Sequence, residues 1–220
     1  MTIEGGIEYM FIRNCMTPRS QLTTVPVDAT IQETLDLLEG QGLESAPVVD
    51  GQGRLAGVTG YKSIFQSLLH QKGWESSFRT QPITPAVEPI QSLHLDSDFE
   101  ETLPLVIRHP FVPIVDKKDS TLAGIVKISD IESAMAIAMG YGVKGIRILL
   151  GVVTDSPYTL EHLLEALKPY QVNIISVTTF DAGEAAARRI LLKLAPTPKV
   201  KAIREKLNRR GFRTLSVKQT

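Results

Sequence analysis

The 220 residues carry 24 Lys and Arg against 24 Asp and Glu, so no whole-chain field steers the protein toward nucleic acid or an acidic membrane surface. With 43% hydrophobic and 22% charged residues the composition is globular, and no apolar run approaches the roughly 20 residues of a membrane span. Met1 to Arg13 lacks the basic-then-apolar pattern of a secretory signal. Cys15, the only cysteine, excludes an intrachain disulfide and a cysteine-based zinc cage; together these features predict a cytoplasmic protein.

In chain order, Ile31, Thr34, Leu35 and Leu38 share a face at helical spacing, with Asp28 or Thr30 placed to cap that helix. A strand, Pro47-Val48-Val49, follows, then the turn Asp50-Gly51-Gln52-Gly53, a second strand from Leu55 to Thr59, and a helix beginning near Lys62. Gln81-Pro82-Ile83-Thr84-Pro85 and Glu88-Pro89 read as a connector. The same grammar then returns: a helix near Phe99–Ile107, a strand Val112–Val115, a turn Asp116–Ser120, a strand Leu122–Val126 and a helix from Ser129. Three blocks repeat in order, Asp28–Leu35 with Asp96–Leu103, Ala46–Asp50 with Val112–Asp116, and Leu55–Val58 with Leu122–Ile125. Their offsets differ by a residue or two, and the drift falls in loops, where insertions are tolerated. The first two thirds is therefore an internal duplication.

After Gly140-Tyr141-Gly142 the grammar changes. Ile146–Val153 reads as a strand and Leu160, Leu163, Leu164 and Leu167 as the apolar stripe of a helix. A β-rich run, Val172–Phe180, turns at Asp181-Ala182-Gly183 into a strand, Arg189–Leu194. A helix with Val200, Ile203 and Leu207 on one side ends at Gly211, before a last strand, Phe212–Val217. This βαββαβ order is that of the ferredoxin-like motif.

The repeated "Pro-Val-Val-Asp … Gly-Val" core, with its lead-in Met16-Thr17-Pro18, resembles the CBS motif, two copies of which pair into one module. Asp155-x-Pro157 before Leu160, followed by Val172-Asn173-Ile174, resembles the ACT domain. The resemblance implies an α+β chain: an N-terminal extension over 1–9, a tandem CBS pair over 10–138 (repeats about 10–72 and 80–138), a linker over 139–144 and a ferredoxin-like ACT domain over 145–220. The layout is similar to bacterial cyclic-di-AMP-binding CBS–ACT proteins and to acetoin-utilisation accessory proteins. It implies a regulatory protein that binds an adenine nucleotide or cyclic dinucleotide in the cleft between repeats, forms a homodimer and signals to an unknown target protein.

The CBS site pattern runs Gly, two apolar residues, Thr or Ser, two variable residues, then Asp. In the second repeat it becomes Gly124-Ile125-Val126-Lys127-Ile128-Ser129-Asp130, which implies Asp130 on ribose hydroxyls and Lys127 as a point charge for phosphate. In the first repeat, Gly57-Val58-Thr59-Gly60-Tyr61-Lys62-Ser63, Gly60 stands at the hydroxyl position and Ser63 at the carboxylate. Gly60 then offers close backbone approach to phosphate, and Tyr61 a stacking face. Ala46, Pro47, Val112 and Pro113 stand where the family lines the adenine; Arg19 and Arg108 are further candidates. In the ACT-like part Asp155 and Asn173 are the candidates, and Tyr158 occupies the position usually held by Gly, where its side chain is expected to crowd a bound amino acid.

The alternatives are an AMP or ATP energy sensor, an amino-acid-responsive regulator working through the ACT domain, and a ligand-free scaffold. His70, His94, His109 and His162 lack metal-ligand spacing, and no nucleophile elbow, P-loop or dinucleotide fingerprint is present. No catalytic residue, metal or cofactor is expected. Lys199–Arg213 is strongly basic, but Val200, Ile203 and Leu207 give that helix a buried face, so a solvated surface without nucleic acid is expected.

Overall fold

The structure, a computed structural model, describes residues 12–70, 77–107, 109–152, 157–181 and 188–220. The expected extension over 1–9 and the candidates Arg108 and Asp155 lie outside them. The chain divides into two compact units, the division falling between Ala134 and Met135.

In the first unit a short helix α1 (Ile12–Cys15) leads to β1 (Thr17–Pro18), β2 (Val25–Pro26) and α2 (Ile31–Gln41). Thr30 caps α2: its hydroxyl accepts from the Glu33 N–H (3.2 Å), and the Glu33 carboxylate accepts from the Thr30 N–H (2.8 Å). That reciprocal pair satisfies two donors that the first turn leaves open, and Thr30→Ala is expected to cost about 1 kcal/mol in urea unfolding. Next come β3 (Ser45–Val49), β4 (Leu55–Gly60) and α3 (Tyr61–His70). The second repeat supplies β5 (Leu93–His94), β6 (Phe111–Val115), β7 (Leu122–Lys127) and α4 (Ile128–Ala138). The helix expected near Phe99–Ile107 is instead a 3-10 turn, Phe99–Thr102, followed by turn structure. Pro104 interrupts it: proline has no N–H and its ring crowds the preceding turn.

Each repeat builds a sheet in which a short parallel strand precedes a hairpin, β2-β3-β4 and β5-β6-β7. The repeats then exchange their lead-in segments. β1, in the lead-in of the first repeat, pairs with β7 of the second (Thr17 with Ile125, Pro18 with Gly124). Reciprocally, Glu88, in the lead-in of the second repeat, bridges Val58 on β4 (2.8 and 2.9 Å). Gly57 and Gly124 permit this, since a Cβ at either would run into the carbonyl of the incoming segment, Glu88 or Thr17. The hairpins join in the same reciprocal way: the Leu55 N–H donates to the Ser120 carbonyl, and the Leu122 N–H to that of Gly53. Two apolar clusters draw on both repeats, Val49 with Val115 and Leu122, and Val58 with Phe111 and Ile125. The duplication is thus one folding unit with approximate twofold symmetry.

The second unit continues with β8 (Ile146–Val152), α5 (Thr159–Leu167), β9 (Ile174–Asp181), β10 (Arg188–Leu194), α6 (Val200–Arg209) and β11 (Arg213–Gln219). The antiparallel sheet has the order β11-β8-β10-β9, the ferredoxin-like arrangement. Alternation along the strands sends Ile148, Leu150, Ile190 and Leu192 to one face, where they form a core with Leu163, Leu167, Ile203 and Leu207 of the two helices.

Candidate functional site

β4 runs straight into α3, and Ser63 organises the junction. Its buried hydroxyl accepts from the Gly60 N–H (2.9 Å) and donates to the Gly60 carbonyl (3.1 Å). The Thr59 hydroxyl donates to the Ala86 carbonyl (3.0 Å), which ties the junction to the connector. Gly60 has a packing reason of its own, because a Cβ there would meet the Glu44 carbonyl and Ser45. Its N–H is committed to Ser63 and the Tyr61 N–H to the Glu44 carbonyl (3.3 Å), so a phosphate there would meet the donors that follow Tyr61 in the first turn of α3.

That junction opens on a cavity of about 440 Å³. Gly60, Tyr61, Lys62 and Ser63 line one side, Glu44 and Glu88 add carboxylates, and His109 and Pro110 come from the second repeat. The site thus combines a helix N-terminus, which favours anions, with the Lys62 ammonium and the His109 imidazole. It also holds acceptors for hydroxyl or amino groups and a half-exposed aromatic ring, Tyr61. Gly60, Tyr61 and Ser63 were legible in the sequence; Lys62, His109, Glu44 and Glu88 were not assigned to the site there. Lys62 sits inside the motif as a variable position, whereas Glu88 arrives through the exchange of segments and His109 through the pairing of the two repeats. A second cavity of about 380 Å³, lined by Pro89, Ile90, Gln91, Pro104, Leu105 and Phe111, shares His109.

The other candidates fall elsewhere. Ala46, Pro47, Val112 and Pro113 are buried in β3 and β6 and do not line either cavity. Asp130 occupies in α4 the place of Ser63 in α3 and does the same work, its carboxylate accepting from the Lys127 N–H (3.0 Å). Lys127 and Ser129 are exposed beside it, and Arg19 opens a 3-10 turn, Arg19–Gln21. Burial pushes the Cys15 thiol up, and the Asp130 carboxylate adds to the rise. Cys15 should therefore react with iodoacetamide at neutral pH far more slowly than in the unfolded chain. Asp130→Asn should accelerate the reaction, since removing the negative charge lowers the barrier to thiolate; an unchanged rate would assign the protection to burial alone.

In the second unit Tyr158 precedes α5 with φ +69°, the left-handed conformation that glycine adopts without strain. The position thus retains the backbone demand of a glycine while bearing a tyrosine. Its ring, 72% exposed, borders a cavity of about 320 Å³ with Glu161 and Arg188, and Asn173 is not among that cavity's walls. Tyr158→Gly is expected to raise stability by about 1 kcal/mol, read from the thermal midpoint. Among the described residues no cluster of His, Cys, Asp and Glu could hold a metal ion, and no helix is long and apolar enough to cross a membrane.

Residues 12–70 match the family model of the CBS domain. No curated protein sequence matches the chain. Among solved structures it is similar to CbpB in complex with c-di-AMP, at 14% identity and TM-score 0.53, over 59% of this chain and 87% of that one. It is likewise similar to a CBS domain-containing protein of unknown function from Bacillus anthracis, at 21% identity and TM-score 0.52, over 59% and 96%. A third is CBSX2 in complex with AMP, at 21% identity and TM-score 0.50, over 57% and 96%. At such identities the likeness is one of fold: an α+β chain with a CBS-domain pair.

Proposed function

We propose that this chain is a non-catalytic regulatory protein whose first unit binds an adenine-containing nucleotide, cyclic-di-AMP before AMP or ATP, and signals the occupied state to a partner protein. The observation that carries the reading is the cavity at the β4–α3 junction, where an anion-favouring helix end and Lys62 stand across from His109 of the other repeat. Phosphate meets the α3 N-terminus and Lys62, the base lies against Tyr61, and Glu44 or Glu88 accepts from ribose hydroxyls or the adenine amino group. His109 borders two cavities, which favours a ligand with two nucleotide halves. The likeness in fold to CbpB, in complex with c-di-AMP, and to CBSX2, in complex with AMP, supports the ligand class. Asp130, with Lys127 and Ser129, serves as a second ribose and phosphate position, and Ala46, Pro47, Val112 and Pro113 shape the cleft from beneath.

The second unit, on this reading an ACT-type domain, pairs two copies of the chain and transmits the change. Pairing hides sheet edges that otherwise stay exposed. A ligand moves the balance between two arrangements only through different affinity for each. The protein works in the cytoplasm, without metal or cofactor. Thermal-shift scans of the full chain with cyclic-di-AMP, AMP, ATP and amino acids test this. Cyclic-di-AMP is expected to raise the midpoint, by about 2.7 kcal/mol of stabilisation at a hundredfold excess over Kd. A shift with amino acids alone moves the function to the second unit, and no shift with any of them leaves a scaffold.

A further inference from the structure

On the face of the second sheet turned away from α5 and α6, the strand register sets Lys218, Arg147, Lys193 and Ser176 side by side on β11, β8, β10 and β9. Three directly paired cations repel one another, and among the described residues none of them has a carboxylate within ion-pair distance. Lys193 is the sharpest case. It is only 6% exposed, and its ammonium donates to one acceptor, the Gly140 carbonyl (2.7 Å), although an ammonium carries three donors. A cation buried without a counter-charge is costly to hold.

Arg147 and Lys193 line a cavity of about 510 Å³ whose remaining walls include Met139, Tyr141, Val143 and Leu191. The wall segment is pinned to the sheet. The Ser176 hydroxyl donates to the Met139 carbonyl (3.0 Å), and the Gly145 N–H to that of Thr220 (3.0 Å). Gly140 and Gly145 let it lie this close, since a Cβ would run into Ile175 at the first and the Leu194 carbonyl at the second. The cavity is therefore built into the fold, with a cationic floor and an apolar rim.

We propose that this cavity binds a small organic anion, a carboxylate or phosphate on a compact apolar body. The anionic group meets Arg147, whose guanidinium suits two-point contact, and the spare donors of Lys193; the apolar body lies against Met139, Tyr141, Val143 and Leu191. The site belongs wholly to the second unit and does not depend on nucleotide binding by the first.

The test is an amide NMR titration of the full ¹⁵N-labelled chain with phenylacetate and with phenyl phosphate, to about 10 mM. At least one is expected to give saturable shifts centred on residues 139–147 and 191–193, and the stronger of the two tells carboxylate from phosphate. Lys193→Met and Arg147→Gln should each weaken it at least about tenfold. Arg147→Gln removes one of the opposed charges, so its thermal midpoint should equal or exceed the parent's, which separates lost binding from lost fold. The proposal is overturned by no saturable shift with either probe, or by affinity unchanged in Arg147→Gln. Inorganic phosphate or benzyl alcohol binding as tightly as the probes, showing that charge or apolarity alone suffices, would overturn it too.

Discussion

Gly124→Ala should destabilise the first unit by about 1–3 kcal/mol, the cost of forcing a side chain into a filled space. The added methyl would run into the Thr17 carbonyl and the Met16 side chain, the atoms that bring β1 onto β7. The Thr17 carbonyl cannot yield cheaply, because Thr17 is held by pairing with Ile125, which packs with Val58 and Phe111 across the two repeats. The preceding position bears a methyl in both repeats, Ala56 before Gly57 and Ala123 before Gly124, so the constraint is confined to the two glycines. Urea unfolding followed by circular dichroism measures the effect, and a loss below a few tenths of a kcal/mol would mean that the exchanged segment contributes little.

Lys62→Met should weaken binding of the responding nucleotide by roughly 10- to 100-fold, the worth of one charge-assisted hydrogen bond to phosphate. Lys62 is exposed, so the fold is expected to survive the change. Methionine preserves most of the side chain's length and removes the charge. Asp130→Asn is the companion, because Asp130 stands at the equivalent junction of the other repeat. Calorimetric titration of both variants distinguishes the two ends of the cleft. A large loss in Lys62→Met with a small one in Asp130→Asn locates the ligand at the β4–α3 junction; the reverse locates it at α4. Unchanged affinity in both would remove the cleft from the proposal.

Much of the architecture was legible because it depends on local pattern. Helical spacing in Ile31–Leu38, the Asp-Gly turn after Val49 and the repeated blocks define their elements from near neighbours in the chain, whereas the cap stayed open between Asp28 and Thr30 until the bonds between Thr30 and Glu33 assigned it. Where reading failed, one residue outweighed the pattern: Pro104 ended a helix that the repeat led one to expect at Phe99–Ile107. Tyr158 was conspicuous as a departure from glycine, but its positive φ, which shows that the backbone kept the glycine conformation, is a property of the folded turn.

The sequence by itself determined the duplication, the change to βαββαβ order after Gly142 and the motif residues Gly60, Tyr61 and Ser63, since each is written in contiguous residues. Only the tertiary structure decided that the lead-in segments cross to the opposite repeat, that Glu88 and His109 join Lys62 around one cavity, and that Lys218, Arg147 and Lys193 stand in a row. The reason is common to all three. Strand register and segment exchange bring together residues tens of positions apart, and the glycines that permit the exchange, Gly57 and Gly124, do not by themselves name the segment that lies on them.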